Sequence, residues 1–101
     1  MYFLFRLLPP RPSFPADMTA EEGELMGTHA EYWRGLMAQG QVVAFGPVAD
    51  PRGVYGLCIL QAPDAGAAAA LVEGDPVLRA GRGFGSELHP MPACLHPAAP
   101  A

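Results

Sequence analysis

Few residues of this 101-residue chain could do chemistry, and one of them is oddly placed. His29 stands in "THAEYWRGLMAQG", on the same helical stripe as Leu25, Tyr32, Trp33, Leu36 and Met37. An apolar stripe buries hydrocarbon, whereas an imidazole has two ring nitrogens that need partners. A histidine in that position either bonds to protein groups inside the core or opens onto a cavity. In the second case its free nitrogen can take or give a proton. Tyr32 and Trp33 beside it can wall such a cavity or simply fill the core. Asp75 precedes Pro76, the pattern of a helix N-cap followed by proline at the first helical position. Arg79, four residues on, can hold an anionic group bidentately or stand as a solvated surface charge.

The other candidates lead nowhere. Cys58 and Cys94 lie 36 residues apart with no CxxC or Cys/His ligand spacing, so no metal site is expected from them. In "GLCIL" the Cys58 thiol acts as a small hydrophobe, and a disulfide to Cys94 is the lesser reading. Cys94 and His96 make two ligands, not a site. His89 stands beside Pro90 near the end of the last apolar stretch. Ser13 and Ser86 have no adjacent base, and there is no G-x-S-x-G elbow. The glycines of "AGRGFG" lack the Lys-Ser/Thr ending of a phosphate loop and precede a strand instead of opening a helix. No motif calls for a metal or a cofactor.

Composition narrows the class further. The net charge is −4, with six arginines and no lysine. That excludes the dense basic patch of a nucleic-acid surface and the basic helix of a membrane-surface segment. "MYFLFRLLPP" is apolar, but Arg6 breaks the run, no basic segment precedes it and no small-residue cleavage site follows. It is therefore not a signal peptide, and a cytoplasmic location is expected. Half the residues are apolar, enough for one core in one domain, here placed over 1–92 with a Pro/Ala-rich tail over 93–101.

The elements that must position these residues follow from pattern. "YFLFRLL" (2–8) reads as a buried strand, and four prolines make residues 9–18 a loop. Thr19 and Glu22 form a capping box opening a helix that Gly40 stops. Residues 42–48 and 54–61 are strands about "DPRG", a type I turn, so they make a hairpin. Gly46-Pro47 within the first of them requires a bulge or an edge position, because proline cannot donate to a ladder. Asp64 caps a short alanine-rich helix ending near Gly74, and Asp75-Pro76 starts one further turn. "GRGFGSELHPM" is the final strand. The order βαββαβ predicts an α+β, ferredoxin-like sandwich: a four-stranded antiparallel sheet with both helices on one face. Its other face would expose apolar side chains from "VVAF" and "GLCIL", which a second copy could cover.

"HAEYW", "GQVVAFGPVADPRG", "GLCIL", and "DPVLRAG" before a final F-x-x-E-x-x-P-M together resemble the YciI-related (YCII) domain, over about residues 2–92. The loop "RPSFPADMTAEE" resembles the version many bacterial members carry. The resemblance implies a dimeric α+β barrel, a homodimer packed sheet against sheet. It also implies a pocket with a paired histidine and aspartate, which match His29 and Asp75. N-capping and pairing with His29 are compatible, since a carboxylate has several acceptor sites. Phe45, Gly46 and Pro47 resemble the family's strand segment beside the pocket, and Tyr32, Trp33 and Arg79 are the further candidates for substrate contact. The activity implied is a cofactor-independent lyase or isomerase acting on a small cyclic or aromatic compound. The alternative is a non-catalytic dimeric module that binds a small ligand or a protein through the same cleft.

Overall fold

The computed structural model of the protein describes residues 1–97. Seven elements run in the order β1 (Tyr2–Leu8), α1 (Ala20–Ala38), β2 (Val42–Val48), β3 (Tyr55–Gln61), α2 (Ala65–Glu73), α3 (Pro76–Arg79) and β4 (Gly85–Met91). The strands form one sheet in the order β2-β3-β1-β4. β1 runs antiparallel to both neighbours, with Phe5 opposite Cys58 on one side and Leu88 on the other. This is the expected ferredoxin-like arrangement.

Strand side chains alternate between faces, and β1 does so without exception. Phe3, Phe5 and Leu7 are buried and join Cys58 and Leu60 of β3. Trp33 of α1, Ala68 and Val72 of α2 and Val77 of α3 complete the same cluster, so the helices share one face of the sheet. Leu4, Leu57 and Ile59 alternate onto the opposite, half-covered face. Arg6 lies there too, its guanidinium 4.2 Å over the Tyr55 ring and 3.1 Å from Glu87.

Helix α1 has the ends its sequence encodes. Thr19 Oγ1 accepts from Glu22 N, and Thr19 N donates to Glu22 Oε1 at 2.9 Å. At the other end Gly40 (φ +79°) donates to Met37 O while Gln41 N reaches Leu36 O, closing a Schellman motif. Met37, placed on the buried stripe by its spacing, is 37% exposed instead. Leu36, beside it on the last turn, is the residue that packs against the core there.

One further detail meets expectation and another differs from it. β2 is indeed an edge strand, where Pro47 needs no ladder donor. Its register shift, however, lies between Val42 and Ala44, and Gly46 and Pro47 face Leu57 and Gly56 in step. β4 begins at Gly85, because Gly81 (φ +66°) and Gly83 (φ +90°) hold the preceding residues in a left-handed turn. Of the tail, residues 93–97 have no regular structure and 98–101 lie outside the described residues. His96 packs edge-on against Tyr2, with ring centroids 5.4 Å apart. Among the described residues no helix is long and apolar enough to cross a membrane.

Loop 9–18 is ordered by side chains, since its prolines remove main-chain donors. Arg11 donates to both carboxylate oxygens of Glu22 at 2.7 Å and to Asp17 at 2.9 Å, and Phe14 is buried. The Arg11 guanidinium, helped by Thr19 N, holds the Glu22 carboxyl down to about 2. A carboxylate whose folded pKa is depressed adds stability that is complete above its unfolded value, near 4.3, and lost as pH falls towards the folded one. Urea midpoints between pH 5 and pH 2 should therefore fall, and Glu22→Gln should flatten that fall. A variant with the wild-type slope would show that the Arg11 clamp is not what acid breaks.

Candidate active site

The first turn of α3 and the middle of α1 meet at one carboxylate. Asp75 is fully buried and caps α3, its Oδ1 accepting from Val77 N at 3.0 Å. That leaves Oδ2 facing α1, where it accepts from Trp33 Nε1 at 2.8 Å and stands 2.6 Å from His29 Nδ1. His29 and Trp33 are four residues apart and so lie on one side of the helix. One aspartate thus serves as N-cap and as the anchor of one ring nitrogen from each of His29 and Trp33. The carboxylate has no proton to offer in its ionised form, so Nδ1 is the donor and Nε2 carries the lone pair.

His29 Nε2 has no protein partner among the described residues, and the ring is 13% exposed on a cavity of about 470 Å³. That volume falls in the range of small-molecule sites. Phe5, Trp33, Phe45 and Phe84 supply aromatic wall, and Gly46 and Pro47 bring the β2 edge to the rim. Phe14, Pro15 and Met18 close the side formed by loop 9–18. The polar lining is sparse: His29, Arg34, Tyr55 and the Cys58 thiol. Burial, and secondarily the charge of Asp75, pushes that thiol up to about 12. At neutral pH it is protonated and no nucleophile.

Of the residues singled out from sequence, His29, Trp33, Phe45, Gly46 and Pro47 line this cavity, and Asp75 stands directly behind His29. Tyr32 and Arg79 do not line it. The Tyr32 hydroxyl donates to Leu71 O at 2.6 Å and lies against Gly74, where there is no room for a side chain. Its ring packs edge-on against Trp33, so it braces α1 on the end of α2. Burial first, then the Asp75 charge, raises its phenol above the ordinary value. Arg79 ends α3 in solvent.

Sequence reasoning missed Arg34 and the loop residues Phe14, Pro15 and Met18. Arg34 gave no clear signal, since five residues of helix turn it about 140° away from His29. The loop residues had almost none, because proline-rich composition says that a segment is irregular and not where it lies.

A family model described as the YCII-related domain matches residues 4–91. Two solved structures are similar. One is 5-chloro-2-hydroxyhydroquinone dehydrochlorinase from Burkholderia phenoliruptrix AC1100 in complex with 2,5-dihydroxybenzoquinone. It has a TM-score of 0.65 at 20% identity, over 90% of this chain and 93% of that one. The other is muconolactone isomerase, with a TM-score of 0.65 at 19% identity, over 98% and 94% of the two chains. No curated protein sequence matches the chain. At these identities the likeness fixes the fold; the chemistry has to be argued from the side chains.

Proposed function

Because the chain belongs to the YCII-related domain family, we propose that it is a cofactor-independent enzyme of the lyase or isomerase type. Its substrate is a small cyclic or aromatic compound, and His29 with Asp75 performs the acid–base chemistry. The observation that carries this reading is the 2.6 Å contact between His29 Nδ1 and a fully buried carboxylate, with the ring lining the cavity and Nε2 without a protein partner among the described residues. The two similar structures are enzymes acting on small molecules by their names, which favours this reading over a passive ligand module.

The chemistry needs nothing beyond the pair. Nε2 takes a proton from a substrate carbon beside a carbonyl, and the C–H electron pair stays on the substrate as an enolate. Asp75 stabilises the resulting imidazolium and keeps the ring in place. In an isomerisation Nε2–H returns the proton to a different carbon. In an elimination the electron pair expels the leaving group, and the proton passes from Nε2 to solvent. Trp33 Nε1 fixes the carboxylate oxygen that does this, so the geometry is set before substrate arrives.

The working unit in this proposal is residues 1–92, in the cytoplasm, as a homodimer through the outer sheet face that carries Leu4, Leu57 and Ile59. The test is a screen of chlorinated phenols and lactones in deuterated water, followed by NMR. Wild type should convert or deuterate at least one compound, and His29→Ala should not. Exchange that survives His29→Ala, or binding with no exchange of any compound, would make the cavity a non-catalytic ligand site.

A further inference from the structure

We infer that the cavity is built for an anion: its ligand is a small cyclic or aromatic compound bearing a carboxylate or phenolate, and Arg34 is the residue that selects it. This rests on the reading of the cavity as a substrate site and names the substrate class.

Arg34 lines the cavity from an exposed position on α1, and among the described residues its guanidinium has no ion pair and no hydrogen bond. Arg79 is likewise exposed with no partner among the described residues, but it does not line the cavity, and the other four arginines are held. Arg6 is held by Glu87, Arg11 by Asp17 and Glu22, Arg52 by Asp50 and Arg82 by Glu21. No aspartate or glutamate lines the cavity, so nothing in its wall neutralises Arg34. Asp75, behind the wall, is already committed to three donors.

A planar fork with unused N–H donors matches a carboxylate, and the exposed position of Arg34 leaves it open to an incoming anion. The chain's net charge of −4 works against this at long range. Salt reduces such diffuse repulsion beyond about 8 Å at physiological ionic strength, while a contact pair retains most of its attraction. The local cation therefore decides.

Five residues of helix separate His29 from Arg34 by about 7.5 Å of rise and about 140° of turn, so the two reach the cavity from different directions. The long arginine stem supplies the reach.

The experiment measures binding of benzoate and of its neutral isostere benzamide, by NMR titration at low salt, to wild type, Arg34→Gln and His29→Gln. Wild type should prefer benzoate by about tenfold to a hundredfold, the range of a charge-assisted bidentate contact. Arg34→Gln should lose that preference while binding benzamide as before, and His29→Gln should keep it. A wild type without preference, or an Arg34→Gln variant that retains it, overturns the anion site. Neither probe reacts, so this outcome would leave the acid–base proposal standing, to be decided by the deuterium screen alone.

Discussion

Asp75→Ala should destabilise the protein by about 3–5 kcal/mol, the range for stranding the partners of a buried charge. Three donors from two helices converge on this carboxylate: His29 Nδ1, Trp33 Nε1 and Val77 N. His29 borders the cavity, so water can serve it after the substitution. Trp33 and Val77 are fully buried and cannot be served in that way. Each stranded donor costs about 1–3 kcal/mol. For a domain of about this size every kcal/mol moves Tm by roughly 4–8 °C, so the melting point should fall by tens of degrees. Asp75→Asn cannot rescue the site fully. An amide has one acceptor oxygen and two N–H donors, so whichever way it turns, an N–H meets an N–H. Its loss should be smaller, about 1–3 kcal/mol. Urea denaturation of the two variants checks the order. An Asp75→Ala protein melting within a few degrees of wild type would show that the carboxylate does not join α1 to α3.

The second large effect is on rate. His29→Ala should lower kcat by about 10²–10⁴-fold, the contribution of one positioned general base. Stability should change far less, because Asp75 keeps Trp33 and Val77 as donors and the alanine opens onto a cavity already present. KM should move little, since recognition of the acid group is assigned to Arg34. Added imidazole should restore part of the lost rate by occupying the vacated space. Kinetics on whichever compound the screen identifies give the answer. A kcat within tenfold of wild type would remove His29 from the proton-transfer step.

The fold was legible because each element announces itself locally. Thr19 and Glu22 cap α1 as their types demand, Gly40 ends it, and "DPRG" turns the hairpin with Gly53 N bonded to Asp50 O at 2.9 Å. The site was legible only in part. His29 stood out because an imidazole on an apolar stripe is a local contradiction. Its pairing with Asp75, 46 residues away, came from family resemblance, since spacing alone cannot bring two such positions together. Tyr32 misled for a physical reason: helical periodicity identifies a buried face but not whether the space beyond it is filled or empty. There it is filled by the end of α2. Arg34 was overlooked because a charged residue on a helix is ordinarily a solvated one.

The double use of Asp75 bears on how such a site would drift over generations. One oxygen starts a helix and the other fastens two side chains of α1, so a lineage that lost its reaction would still be selected to keep the carboxylate. The aspartate by itself therefore says little about whether a relative is active. On the proposed roles, His29 is expected to matter less to folding than Asp75, so selection would release it sooner once the chemistry ceased to matter. Under the proposed chemistry, the histidine is the residue whose presence would report a working site.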